Sequence, residues 1–224
     1  MITTICFDLD GTLVDSELVI LKSFDYVFKK YIKEAVRDLN DYRIFMGPPL
    51  VETFGIYTKD EKLINEMIKC FVDYYKTIEF DIIKLFPTVY DTLEKLQEKG
   101  YNICLITSKF MTSANPSLTH LNIKKFFNDF IALDRQEKAK PDPFPINLCA
   151  KDYGIKIENI IMVGDNYVDI KCGKNAGCKT VLVSYNPWFK DSLKAKPTYV
   201  INQLDELLVI LNKINGGKRN VHIL

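Results

Sequence analysis

Two carboxylates stand two residues apart at the end of an apolar run, in Ile5–Cys6–Phe7–Asp8–Leu9–Asp10–Gly11–Thr12. On a strand, side chains two apart share a face. The glycine lets the chain leave the strand in a tight turn. Asp8 and Asp10 are therefore expected to converge at the carboxyl end of a buried strand, where open α/β sheets bind ligands. Two acids so placed need a cation, or one of them holds a proton. The pair points to Mg²⁺ and to a nucleophile–acid couple.

Three further positions follow the same rule. Thr107–Ser108 ends the run NICLI, Lys140 lies in the loop Ala139–Lys140–Pro141–Asp142–Pro143, and Gly164–Asp165 ends the run IIMV with Asp169 four residues on. In a parallel sheet such ends share one edge. The set suits phosphoryl transfer to a carboxylate. Asp8 would attack phosphorus. Asp10 would protonate the leaving oxygen and later take a proton from water. Asp8 and Asp165 would hold Mg²⁺, with Asp10 giving a backbone carbonyl. Thr107, Lys140 and nearby N–H groups would neutralise phosphate oxygens, with Thr12 and Ser108 beside them as substrate contacts. Taken singly, each residue has a plainer reading. Thr107 would cap a loop, Lys140 would be a solvated loop lysine, Asp165 a helix N-cap and Asp169 a first-turn helix charge. Their arrival in order behind strand-like runs favours the joint site.

The elements that must position these residues alternate as βαβ units. Strand patterns cover residues 2–9, 102–107, 130–133, 160–163 and 180–183. Helical patterns cover residues 88–99, 111–121, 143–153, 167–175 and 204–213. The first of these helices opens after Pro87 and closes at Gly100, as helices prefer. Residues 16–85 carry no strand pattern and read as helices at 18–31, 50–57 and 61–77, with apolar residues three and four apart. The expected fold is α/β: a Rossmann-like parallel sheet core flanked by helices, residues 1–15 and 83–224, with an inserted α-helical bundle cap domain, residues 16–82. The crossings would act as hinges, and closure would keep water from the phosphoenzyme. Residues 216–224 are expected to fray.

Composition narrows the class. The 224 residues suit one large domain or a core plus insert. The 30 basic and 29 acidic residues are interspersed, so nucleic acid is not an expected partner. No run approaches a membrane span, and Asp8, Asp10, Asp15 and Glu17 interrupt any secretory signal. The six cysteines form no CxxC pair and read as reduced, structural residues of a cytoplasmic protein. With His120 and His222 the only histidines, a His-rich zinc site is not expected.

FDLDGTLVDS, LITSK, AKPDP and VGDNYVDI resemble the four motifs of the haloacid dehalogenase-like hydrolase superfamily, from Ile5 to Val183. A helical insert straight after the first motif resembles the branch with a helical-bundle cap. The resemblance implies a Mg²⁺-dependent phosphatase acting on a small phosphorylated metabolite through an aspartyl-phosphate. It assigns Asp8 as nucleophile, Asp10 as acid/base, Thr107 and Lys140 to phosphate, and Asp165 to Mg²⁺. Asp169 would be an outer-shell or water-mediated metal ligand. Thr12 stands where the phosphatases of the group carry threonine, and the dehalogenases lack the counterpart of Asp10. RIFMGPPL, residues 43–50, is similar to an element of the phosphoglycolate phosphatase-like and pyrophosphatase-like branch. A phosphoglycolate-like monoester is the implied substrate, with inorganic pyrophosphate or sugar-phosphate mutase chemistry as alternatives. On that element Arg43 and Gly47 would contact substrate, Arg43 through a second anionic group; a surface arginine is an equal reading. Arg135 departs from the branch, which often has an acid nearby. A phospho-Asp signalling switch uses similar groups but lacks a helical insert after its first strand. The expected assembly is a monomer or homodimer.

Overall fold

The computed structural model describes residues 1–46, 48–187 and 189–216. The elements are β1 (Thr4–Phe7), β2 (Val14–Asp15), α1 (Glu17–Tyr31), α2 (Leu50–Gly55), α3 (Glu61–Ile82), β3 (Lys84–Leu85), α4 (Val89–Glu98), β4 (Asn102–Ile106), α5 (Met111–His120), β5 (Asp129–Ile131), α6 (Phe144–Tyr153), β6 (Ile160–Gly164), α7 (Tyr167–Ala176), β7 (Lys179–Val183), α8 (Phe189–Ser192), β8 (Tyr199–Ile201) and α9 (Glu206–Ile214). They gather into two compact units, residues 1–14 with 85–224, and residues 15–84. The expected boundaries were 15/16 and 82/83. Residues 217–224, most of the tail expected to fray, lie outside the described residues.

The larger unit is built on one sheet of order β5–β4–β1–β6–β7–β8. Every neighbouring pair is parallel. All four residues of β1 are buried, as are all five of β6. Strands covered by helices on both faces read as continuous apolar runs, and these do. This is an α/β, Rossmann-like core. The chain builds outward from β1 in both directions, so the loops leaving β1 and β6 diverge and open the crevice where such sheets bind ligands. The register sets Phe7 beside Leu105 and Val163, which brings Asp8 level with the ends of β4 and β6.

Two corrections concern short strands. β8 follows Lys196–Pro197–Thr198 and spans three residues, too short an apolar run to register as a strand pattern. Residues 16–85 are not wholly strand-free, because β3 pairs with β2 where the chain leaves and enters the helical unit. Two residues of pairing leave no periodicity to read.

The helical unit has a core of its own, made of aromatic rings. Phe24 sits 4.8 Å from Phe71, and Phe28 lies 5.2 Å from Tyr42 and 5.4 Å from Phe45, centroid to centroid. Such pairs contribute about 0.5–1.5 kcal/mol each beyond their burial. Asp60 starts α3 by accepting the Lys62 and Leu63 N–H groups. Among the described residues no helix is long and apolar enough to cross a membrane.

Helix α7 lies very close to the sheet. A Cβ on Gly173 would stand 2.5 Å from Thr180 Cγ2 and 3.1 Å from Met162 Cβ. That approach sets the height of the first turn of α7, where Asp169 sits. Gly173→Ala should therefore lower stability by about 1–3 kcal/mol through overpacking, although alanine is the better helix former by about 1 kcal/mol. Urea denaturation checks this; a midpoint equal to or above wild type would mean that α7 lifts freely from β6 and β7.

Candidate active site

The site grows from the ends of β1, β4 and β6. Asp8 donates its N–H to the Val163 carbonyl at 3.0 Å, carrying the β1–β6 ladder one residue past the strand. The chain then turns back. Leu13 and Val14 donate to the Leu9 carbonyl at 2.9 Å, and Gly11 donates to the Val14 carbonyl at 2.8 Å. Gly11 has φ +82°, and a Cβ there would stand 2.6 Å from Asp165 Oδ2 and 2.7 Å from Asn186 Nδ2. Glycine is thus needed twice over, for its conformation and for the room it leaves to Asp165.

Lys140 is the buried centre of the acid cluster. Its Nζ lies 2.6 Å from Asp8 Oδ1, 2.6 Å from Asp169 Oδ1 and 3.2 Å from the Ile106 carbonyl. An ammonium has three N–H donors, and each finds an acceptor. Burial works against its charge, but Asp169 and Asp8 outweigh burial and hold it above the ordinary lysine range. The solvated-loop reading of Lys140 is therefore corrected. Asp169 also accepts the Asn166 N–H through Oδ2 at 3.0 Å, and Asn166 accepts from Val168, closing a capping box. The N-cap of α7 is thus Asn166, not Asp165.

Asp165 is held by neutral donors. Thr12 Oγ1 donates to its Oδ1 at 3.0 Å, and Asn186 Nδ2 donates to its Oδ2 at 2.6 Å. Tyr185 donates its hydroxyl to the Thr12 carbonyl, pinning the turn that carries Thr12. Burial, then the nearby Asp169 and Asp8 charges, pushes the Asp165 carboxyl well above its ordinary value. Burial likewise raises Asp8 to about 7; Lys140 opposes that rise and Asp169 adds to it. Asp8, Asp165 and Asp169 each offer a carboxylate oxygen, all within 4.8 Å of one another. Buried carboxylates crowded this closely are a site that can take a metal cation.

The other expected residues are placed as follows. The Asp10 side chain turns to Lys109, with Oδ1 3.0 Å from Nζ. Thr107 is buried at the end of β4, where its Oγ1 accepts the Lys109 N–H at 3.1 Å. Ser108 is exposed. In the helical unit Arg43 pairs with Glu17, its Nε 2.8 Å from Oε1. Gly47 lies outside the described residues. Arg135 bridges Asp129 and Asp152 at 2.6 and 2.9 Å.

Comparison with known proteins gives the family. The model of the haloacid dehalogenase-like hydrolase family matches residues 5–183. This chain belongs to that family. A pyrophosphatase PpaX of Bacillus mycoides is 35% identical over 96% of the chain and 99% of its own length. A haloacid dehalogenase-like hydrolase of Streptococcus pneumoniae superposes with TM-score 0.82 at 29% identity, covering 94% of this chain and 98% of that one. A predicted phosphoglycolate phosphatase of Haemophilus somnus superposes with TM-score 0.85 at 25% identity, with the same coverage. The chain is a hydrolase of the phosphatase kind.

Three residues of this hydrolase escaped the sequence reading as site residues: Lys109, Tyr185 and Asn186. Lys109 ends the quoted motif LITSK, and Asn186 follows the run TVLV by three residues. The rule that found Thr107 and Asp165, a polar residue just past a strand-like run, was sufficient to find both.

The raised Asp8 carboxyl has a consequence for stability. Between the ordinary aspartate range and pH 7, folded Asp8 binds a proton that unfolded Asp8 has lost. Stability of the metal-free protein should therefore fall as pH rises through this window, by up to about 1.4 kcal/mol per pH unit from this group. Asp8→Asn should remove that slope and raise the melting temperature at neutral pH. Thermal melts in EDTA at several pH values check it; an unchanged slope would show that Asp8 is ionised throughout.

Proposed function

We propose that the protein is a Mg²⁺-dependent phosphatase that hydrolyses a small phosphate compound through an aspartyl-phosphate on Asp8, and that inorganic pyrophosphate is its first substrate. The observation that carries the chemistry is the buried Asp8–Lys140–Asp169 chain beside Asp165. Asp8 Oδ1 is anchored on Lys140, while Oδ2 takes no hydrogen bond among the described residues and is the oxygen to meet phosphorus. As that bond forms, the bond from phosphorus to the leaving oxygen breaks, and Asp10 supplies the proton. Water then attacks phosphorus, Asp10 takes its proton back, and the Asp8 carboxylate departs. Thr107 accepts from Lys109 through its oxygen, so its O–H is left to donate to a phosphate oxygen. Mg²⁺, held by Asp8 and Asp165 with Asp169 behind, would neutralise charge on the transferred group.

The choice of substrate rests on the relatives. A pyrophosphatase PpaX covers nearly the whole chain, which favours pyrophosphate over the monoester. The structural likeness to a predicted phosphoglycolate phosphatase keeps phosphoglycolate as the second reading. In either case the partner is a small phosphorylated metabolite.

Phosphate release should be greatest with pyrophosphate in a panel that also holds phosphoglycolate, hexose phosphates and nucleoside monophosphates, and should stop in EDTA. Asp8→Asn should leave less than about a thousandth of wild-type turnover. Higher residual activity would refute Asp8 as nucleophile, and preference for phosphoglycolate would refute the order of substrates. Asn186→Ala should raise half-saturating Mg²⁺ by about tenfold without loss of fold by circular dichroism; an unchanged requirement would mean that Asp165 keeps its orientation unaided.

A further inference from the structure

Five of the six cysteines, Cys6, Cys104, Cys149, Cys172 and Cys178, fall in one core cluster against the sheet. None of the six is in a disulfide. Three of them converge on one point. Cys6 and Cys104 are register partners on the adjacent strands β1 and β4. Cys149 comes down on them from α6, with its Sγ 3.6 Å from Cys6 Sγ. The three sulfurs lie within 4.8 Å of one another, and each residue is 0% exposed. Three thiols within mutual reach form a donor set.

We propose that Cys6, Cys104 and Cys149 form a buried three-coordinate thiolate site for a soft d¹⁰ cation, with Cu(I) as its representative ion. The size is right. A metal–sulfur bond of about 2.3 Å puts the sulfurs of a trigonal complex about 4 Å apart, close to the separations present. The coordination number is right as well. Zinc sites nearly always have four ligands, whereas among the described residues this group offers three, and it is closed to water. Thiolate donors select Cu(I) among soft ions. Each S–H replaced by a sulfur–metal bond releases one proton to solvent. With two thiols ionised and the third bound as a neutral thiol, the complex carries a single negative charge. Asp8 stands two residues beyond Cys6, and Ile106 two residues beyond Cys104. Side chains two apart on a strand share a face, so the thiol site lies directly beneath the catalytic end of β1.

Burial sets the route of entry. A fully enclosed site loads during folding or through opening of the native protein. The test is refolding of the whole chain, without oxygen, in the presence of Cu(I) buffered by a weak ligand, followed by challenge with a chromogenic Cu(I) chelator. Wild type should retain one copper per chain, with a sulfur-only shell near 2.3 Å by X-ray absorption. Native protein should take up the ion far more slowly than refolding protein. Cys149→Ala and Cys104→Ala should each weaken retention by more than about tenfold, while Cys70→Ala, on α3 of the helical unit, should match wild type. Cys149→Ser keeps the volume and serves the same purpose if an alanine variant fails to fold. No copper retained by refolded wild type, a shell containing nitrogen or oxygen, or equal retention by the Cys149 variants would overturn the proposal.

Discussion

One ammonium group organises the candidate site. Lys140 Nζ touches Asp8 at the end of β1, the Ile106 carbonyl at the end of β4 and Asp169 in the first turn of α7. It therefore joins three elements that are far apart in sequence. A buried charge is tolerated only when paired and fully hydrogen-bonded, so the three acceptors and the lysine require one another. Loss of the lysine leaves two carboxylates inside the protein without an opposite. Close packing of α7 at Gly173 and the capping box at Asn166 serve the same end, because they fix where Asp169 meets Lys140.

Asp165 is arranged on a different principle. Its oxygens are met by the neutral donors Thr12 and Asn186, which orient the carboxylate without cancelling its charge. The three acids of the cluster, with one lysine, sum to −3 + 1 = −2 when all are ionised. That is the charge of one divalent cation with the sign reversed. The metal-free site relieves the same excess by holding protons, which is why burial raises Asp8 and Asp165 rather than leaving them ionised. A carboxylate oriented by neutral groups and a lysine shared by two others are thus two solutions to one electrostatic problem.

Most of the candidate site was legible because its residues obey a positional rule. Asp8, Thr107 and Asp165 each stand just past a strand-like apolar run, and the parallel sheet brings those ends together. The same rule carried the core strands β1, β4, β6 and β7. What escaped lacks periodicity or depends on partners distant in sequence. β2 and β3 have two residues each, and β8 has three. The orientation of Asp169 toward Lys140 rather than solvent follows from how closely α7 lies on the sheet, which no local pattern encodes. Asn166, and not Asp165, caps α7, because Asp165 is drawn inward by Thr12 and Asn186. The pairing of Arg43 with Glu17 joins residues 26 apart and has no local signature.

The order of the motifs along the chain governs when the site comes into being. Asp8 must wait for a lysine 132 residues later, and Thr12 for an aspartate 153 residues later. At about 5–20 residues per second, ribosomal synthesis separates those partners by roughly seven to thirty seconds. When residue 84 has been made, the helical unit, with its own aromatic core, is complete in sequence, while the first strand still lacks both neighbours, β4 and β6. The nascent protein therefore carries a finished insert and an unfinished centre. Its buried acid cluster is first complete when β6 and α7 arrive.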